Sequence, residues 1–346
     1  MMPCRTKAPM NRKIKIIIRI GLFLGTLISL VFVPWPMVTA WIQPLPKTIQ
    51  EQVDRAGDYG FDGIVVGVQY HGNHFETYTS GYKNRVRKTP ADPDALFKIA
   101  SVGKLYTAVG IAKLVRDGSL SLEKTLGDYL PELIGRIEHA GTITVNMLVT
   151  HRSGIPNYTD TSMYWVNPKE TADEQLALVL NLPADFKPDE RYAYSNTNYL
   201  LLGKIMDRVL GYDHFQYIRE AILEPLNLTR TFGSITEVDM EDVMSGYYVG
   251  YDADLKTVNN GSILATAEDL SKFIRALNDG SVFRDATEQN IYPSIYEYGH
   301  TGLIPGYQTI ANYHPDIDAV VVQFTNTVDF EGYNWSMSEI MHNPGS

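Results

Sequence analysis

Gly63 to Val68, an apolar stretch, and then Thr77 to Tyr82 read as alternating strands with a period of two, and predict a strand pair. Tyr70-His71-Gly72-Asn73-His74 between them reads as their turn. From residue 100 to about 230 the period changes to that of a helix, with stretches at Leu105–Val115, Asp173–Leu182, Leu200–Leu210 and Phe215–Leu223. Pro131, Pro156, Pro168, Pro183 and Pro188 punctuate this region. A further helix is expected at Leu270–Leu277, after which alternation returns at Thr309–Tyr313 and Ala319–Thr325. Trp335–Met341 offers a short final helix, and Lys47–Ala56 a short amphipathic one before the first strand. The pattern contains no internal repeat. It predicts one unit whose sheet is built from both sequence ends, about 45–98 and 263–340, with a helical part at about 99–262 inserted between them.

The first forty residues read differently. Arg5, Lys7, Arg12, Lys13, Lys15 and Arg19 form a basic region, and no acidic residue occurs before Glu51. Ile20 to Val33 is then a continuous apolar run, broken by Pro34 and Pro36. Its length suits the apolar region of a signal peptide, with Val38-Thr39-Ala40 as a small-residue cleavage site. Extended to Ile42, the run is long enough for an uncleaved anchor. Residues 1–40 are therefore assigned as signal peptide or anchor and 41–346 as the folded body. Positive-inside logic puts that body outside the cytoplasm, periplasmic or extracellular, with membrane attachment through the N-terminus as the alternative to release.

Composition narrows the partners. The chain has 346 residues, 44% of them hydrophobic, which is ample for a large core. Its one cysteine, Cys4, lies at the extreme N-terminus, so a disulfide framework is excluded. Without the first forty residues, 24 basic and 40 acidic side chains remain, a net of −16. That balance opposes nucleic-acid binding and suits an enzyme of small substrates.

Candidate chemistry begins at Ser101-Val102-Gly103-Lys104, an S-x-x-K tetrad opening an apolar helix. Positions three apart share a helix face, so the Ser101 hydroxyl and Lys104 amine can meet. The helix N-terminus favours the negative charge of an attacking oxygen, and apolar neighbours lower a lysine pKa toward that of a usable base. Two other tetrads, Ser80 to Lys83 and Ser121 to Lys124, lie in a strand-turn and a polar loop without such neighbours. Tyr194-Ser195-Asn196 starts another helix, where a phenol can shuttle a proton and an amide can hold a carbonyl. His300-Thr301-Gly302 precedes a strand, and a glycine there lets a substrate lie against an edge-strand backbone. Taken singly, Tyr194 reads equally as a packing tyrosine, Asn196 as a helix cap and His300 as a turn histidine.

The order and separation of the three elements resemble the serine β-lactamase and penicillin-binding-protein superfamily, in its branch of class C β-lactamases, D-alanyl-D-alanine carboxypeptidases and esterases. Leu126 to Glu132, Thr144 to Pro156 and Leu264 to Leu270 resemble further segments of that family, with Arg152 standing where a threonine is usual. The likeness spans about 60–330. It implies an α+β fold, β-lactamase-like, with an antiparallel sheet flanked by helices, an inserted all-helical region and an active site in the cleft between the two parts. Residues 281–299 are short for the region that precedes the third motif in that family.

The resemblance also implies roles. Ser101 is the acylated nucleophile, and Lys104 or Tyr194 is the base. Asn196, His300, Thr301, Gly302 and Leu303 hold the substrate, with the backbone amides of Ser101 and Leu303 as an oxyanion hole. No cofactor or metal is needed. The implied substrate is a small molecule or peptide: a peptidoglycan-type peptide, a β-lactam or an ester. His300 replaces a lysine that is a constant cation in β-lactamases, and an ordinary histidine is mostly neutral at pH 7. This tilts the expectation to a carboxypeptidase-like or esterase-like serine hydrolase, ahead of a β-lactamase or a non-turning-over sensor. The chain has no G-x-S-x-G elbow, no H-E-x-x-H and no Gly-rich phosphate loop. His71 and His74 read as turn residues, and His151 as a loop-ordering one.

Overall fold

A computed structural model describes residues 11–71, 74–162, 164, 165, 168–329, 332 and 334–342. Its centre is a six-stranded sheet drawn from both ends of the sequence. The strands are β1 (Gly63–Gln69), β2 (Phe75–Asn84), β3 (Thr89–Pro90), β4 (His300–Ile304), β5 (Tyr307–His314) and β6 (Ala319–Thr325). They lie in the order β3-β2-β1-β6-β5-β4, and every pairing is antiparallel. Both expected N-terminal strands and both expected C-terminal ones are present. Gly72 and Asn73 of the expected turn fall outside the described residues.

Period two explains how the sheet is covered. β1 is buried along its whole length because successive side chains enter opposite cores. Val65, with Val320, Val322 and Phe324 of β6, joins the large core under the helical part. Ile64, Val66 and Val68 face the other way, onto Val53, Ala56, Met337 and Met341. These belong to or adjoin α3 (Ile49–Asp54) and the C-terminal helix α7 (Asn334–His342). Helix α6 (Ala267–Asp279) packs on the opposite face of β1 and β6. At Gly67 a Cβ would lie 3.1 Å from the Cβ of Ala267 and 2.9 Å from the Phe75 ring, so glycine lets that helix approach.

The inserted region is organised on two helices. In α4 (Gly103–Arg116), Leu105, Tyr106, Ala108, Val109, Ile111 and Ala112 are all fully buried, which makes it a core helix. α5 (Asn196–Leu210) is amphipathic, burying Leu201, Leu202, Ile205 and Met206, and stops at Gly211 in the left-handed conformation. The expected helix at 173–182 is shorter, Ala172–Ala177, closed at its start by a Thr171–Glu174 capping box. The region is not helical throughout. Thr231–Phe232 pairs with Leu264–Ala265, and Tyr247–Tyr248 with Thr327–Val328. These two-residue pairings are too short to impose a readable period, and long-range contact alone creates them.

The N-terminal run forms α1 (Arg12–Val31), twenty residues with no buried residue and a mean hydropathy of 2.1 over its most apolar eighteen. It is long and apolar enough to cross a membrane, a test that a signal sequence near the N-terminus also passes. Pro34 ends the run, and α2 (Trp35–Ile42) begins with Pro36 in its first turn. Met37 and Ala40 of α2 pack against the core that holds Met337 and Met341. The expected cleavage point after Ala40 therefore falls inside a helix docked on α7.

Candidate active site

Ser101 sits in the 3-10 turn Ala100–Val102 that leads into α4. Ala100 just before it has φ 50°, an unfavourable value for a residue with a Cβ and a place where backbone strain is held. Edge strand β4 passes directly over this turn. A Cβ on Gly302 would stand 2.4 Å from the Ile99 carbonyl oxygen and 3.2 Å from the Ser101 nitrogen. The glycine is expected to admit a substrate to the edge strand; what it admits here is the close approach of β4 to the turn that carries Ser101.

Four of the expected side-chain groups converge. Lys104 Nζ lies 3.0 Å from Ser101 Oγ and 2.8 Å from Asn196 Oδ1. The Tyr194 hydroxyl donates to Ser101 Oγ at 2.7 Å. Asn196 is held in turn, its Nδ2 donating to Thr159 Oγ1 at 3.1 Å and its backbone N–H to Asn157 Oδ1 at 3.0 Å. The Lys104 amine also lies 5.0 Å from the Tyr194 ring centre and 5.6 Å from that of Tyr199. Burial pulls the Lys104 pKa down to about 7, so a large fraction of this amine is free base at neutral pH. Burial pushes Tyr194 up to about 12, only partly offset by its bond to Ser101. The phenol is therefore in its neutral form at neutral pH.

His300, Thr301 and Leu303 line the same cavity, opposite Ser101. The Thr301 carbonyl can only accept, so the short contact from His300 Nδ1 carries the ring hydrogen. Nε2 then accepts from the Tyr296 hydroxyl at 2.7 Å, and the two rings stack at 5.5 Å. Burial lowers the His300 pKa to about 4, against a weaker opposing pull from the Thr301 carbonyl. The ring is thus neutral, with both nitrogens committed. Ile304 and Tyr307 close a hairpin over Pro305-Gly306, so alternation turns the Leu303 amide away from β5 to the open side of the edge strand.

The other tetrads lie elsewhere. Lys83 pairs with Asp92 at 3.0 Å, and the Ser121 hydroxyl donates to Glu123 at 2.7 Å. His71 and His74 each meet a separate carboxylate, Asp318 and Glu76.

His151 carries more of the site than its sequence context suggests. Its Nδ1 accepts from the Ser195 N–H at 3.2 Å, and its carbonyl accepts from Ala193 N–H at 2.9 Å, so it grips both neighbours of Tyr194. Its ring lies 4.5 Å from the Tyr194 ring. Burial, and then the charge of Lys104, hold its pKa down to about 3, which keeps it neutral and Nδ1 free to accept. Asn198 and Ser153 complete the lock, the Ser153 hydroxyl donating to Asn198 Oδ1 at 2.6 Å. Arg152, the residue unusual for the resemblance, turns outward to an ion pair with Asp189. Thr159, Asn157, Tyr296 and the aromatic wall were not singled out in the sequence. Only tertiary packing brings them to Ser101, and no local spacing marks them.

The cavity at Ser101 has a volume of about 620 Å³, walled by Tyr158, Tyr164, Trp165, Tyr192 and Glu297. A serine activated by a buried amine, opposite an edge strand with an outward amide, can support acyl transfer. Comparisons with known proteins agree. The family description "Beta-lactamase" matches residues 40–295, ending just before His300. Penicillin-binding protein 4* of Bacillus subtilis (strain 168) is 25% identical over 329 residues, covering 81% of this chain and 71% of that protein. Protein flp of Staphylococcus aureus (strain N315) is 28% identical over 195 residues, 54% of this chain and 39% of its own length. Among solved structures, the D-amino acid amidase from Ochrobactrum anthropi SV3, complexed with L-phenylalanine amide, superposes with a TM-score of 0.73. It is 26% identical, over 85% of this chain and 95% of that one. A match across most of the chain, on this antiparallel fold, means that the protein belongs to the β-lactamase family and is a serine hydrolase of the β-lactamase and penicillin-binding-protein superfamily.

Proposed function

We propose that Ser101 is the nucleophile of a two-step hydrolysis of an amide or ester. The observation that carries this reading is one hydroxyl within 3.0 Å of a buried lysine amine and 2.7 Å of a phenol. Ser101 Oγ attacks the carbonyl carbon while its proton passes to the free-base amine of Lys104. The Tyr194 hydroxyl relays a proton to the departing nitrogen or oxygen, and the acyl group stays on Ser101. The backbone amides of Ser101 and Leu303 receive the oxyanion, and Asn196 steadies both Lys104 and the substrate amide. Thr301 and Gly302 present the edge of β4 to the acyl chain. Water then attacks the ester, releasing the acid and restoring the serine hydroxyl.

The reaction is carboxypeptidase-like or esterase-like. A neutral His300 with both nitrogens committed offers no cation to a substrate carboxylate, which favours the esterase-like case, an ester or amide without that carboxylate, over a β-lactam. The likeness to an amino acid amidase supports an amide. The folded body works outside the cytoplasm, exported by α1 or held by it.

Intact mass of the full chain in detergent, after a fluorophosphonate and separately after a penicillin, tests this. One fluorophosphonate adduct on the native protein and none on Ser101→Ala is expected. An adduct that persists in Ser101→Ala, or no adduct on folded protein, would refute it. A penicillin adduct would draw the substrate toward peptidoglycan peptides.

A further inference from the structure

The charges that face the cavity at Ser101 are few and one-sided. Among the described residues lining it, Lys104 is the sole lysine or arginine, and its amine is already shared between Ser101 and Asn196. His300, where a receptor for a carboxylate would be sought, spends both nitrogens on Tyr296 and Thr301. The one acidic side chain among these lining residues is Glu297, three residues before His300. Its side chain is exposed and enters no ion pair among the described residues, and the short 281–299 segment sets it at the rim. Tyr192, close enough to Glu297 to feel its charge, lines the cavity with it, and Tyr194, Tyr158, Tyr164 and Trp165 supply further aromatic walls.

A second cavity of about 860 Å³ opens beside the first and shares Lys104, Tyr158, Asn196 and Asn260 with it. Six carboxylates line it, Glu170, Asp207, Asp213, Glu220, Glu224 and Glu237, and beyond Lys104 its cations are Lys204 and Arg219. Lys204 is tied to Asp173 and Arg219 to Glu237, which leaves the other five carboxylates without a lysine or arginine partner among the described residues. The approach to Ser101 is therefore negative from two sides, in a body whose net charge is −16. Such a field concentrates cations and repels anions.

We propose that the site selects cationic substrates: amides or esters carrying an ammonium group near the scissile bond, received by the Glu297 carboxylate and the surrounding tyrosine and tryptophan faces. The proposal rests on the serine-hydrolase reading above. A carboxylate with aromatic faces is the set of groups that recognises an ammonium, through charge and cation–π attraction together. A substrate carboxylate in the same place would meet the like charge of Glu297 and no free cation, and would be repelled. The charge that a lysine at position 300 would have offered to an anion is replaced by its opposite at 297.

The test compares three isosteric substrates, the 4-nitroanilides of 3-aminopropanoic, butanoic and succinic acids, with the full chain in detergent. The ammonium substrate is expected to exceed the neutral one in kcat/KM by at least about tenfold, corresponding to about 1.4 kcal/mol, with the carboxylate lowest. The ratio of ammonium to neutral substrate should collapse toward one in Glu297→Gln and invert in Glu297→Lys. It should also shrink between about 20 mM and about 500 mM salt. A neutral substrate equal to or better than the ammonium one, or a ratio unmoved by Glu297→Gln, would overturn the proposal. Should none of the anilides turn over, calorimetry of benzylammonium against benzyl alcohol on Ser101→Ala decides, and equal binding would overturn it. Failure of the serine-hydrolase reading shows itself separately, as the absence of a fluorophosphonate adduct.

Discussion

Lys104 makes the sharpest prediction, because two candidate bases touch one hydroxyl and differ widely in proton affinity. Burial sets the amine near 7 and the Tyr194 phenol near 12. With Lys104 as the base, kcat/KM follows the free-base fraction. That fraction is about half at pH 7, roughly a tenth at pH 6 and about a hundredth at pH 5. The profile should rise tenfold per unit below pH 6 and flatten above pH 8. With the tyrosinate as base, the reactive fraction at pH 7 would be on the order of 10⁻⁵, and the rate would climb tenfold per unit through pH 9 and beyond. Neither His300, near 4, nor His151, near 3, can produce a limb at 7. Initial rates with a neutral ester from pH 5 to 9 separate the two cases. In Lys104→Arg the guanidinium stays protonated, so the acid limb should vanish and kcat/KM should fall about 10²–10⁴-fold. Lys104→Ala gives the same comparison without added bulk. A rise that continues without a plateau, or an acid limb that survives in both variants, would refute the assignment of Lys104 as base.

Three further outcomes follow from the packing. His151→Ala removes the acceptor of the Ser195 N–H and the ring packed on Tyr194, while the backbone bond to Ala193 remains, and is expected to lower kcat about tenfold with KM little changed, at a stability cost of about 1–3 kcal/mol; a fall confined to KM would contradict the positioning role. Gly302→Ala places a Cβ 2.4 Å from the Ile99 carbonyl, so fluorophosphonate labelling of Ser101 should slow by at least about tenfold while the far-UV spectrum is retained. Normal labelling would show that β4 is not held against the nucleophile turn. Glu288 is fully buried and meets Lys113, itself 3% exposed, at 3.2 Å, so Glu288→Ala leaves an uncompensated ammonium. Urea unfolding should register a loss of about 3–5 kcal/mol, recovered in large part by adding Lys113→Met; a loss under about 1 kcal/mol would mean that water reaches the pair.

Position 288 also illustrates what local pattern cannot show. Nothing in Ala286 to Ile291 announces a buried charge, since Lys113 lies 175 residues away. The same distinction runs through the active site. Ser101 and Lys104 could be read together because a single helical turn joins them, and Gly302 because an edge strand near a motif needs close approach. Those are consequences of backbone geometry, which repeats every few residues and leaves its period in the sequence. The segments at 63–68 and 319–325 likewise read as strands, and the packed structure adds that their side chains enter opposite cores.

The neutral state of His300 shows where the sequence stops. Its residue type permits a charge, and only the Tyr296 hydroxyl, the Thr301 carbonyl and burial remove it. His151 is similar: a loop residue by pattern, it becomes the clamp on Tyr194 because Ala193 and Ser195 fold back onto it from more than forty residues away. The short pairings at 231–232 and 247–248 exist only as long-range contacts. The chain by itself determined its strands, its long helices and the order of its three motifs, because each depends on neighbours within a turn or a pleat. The protonation of the site, the sign of charge around it and the clamp on its tyrosine were decided by tertiary structure, because desolvation and charge depend on which distant groups share a cavity.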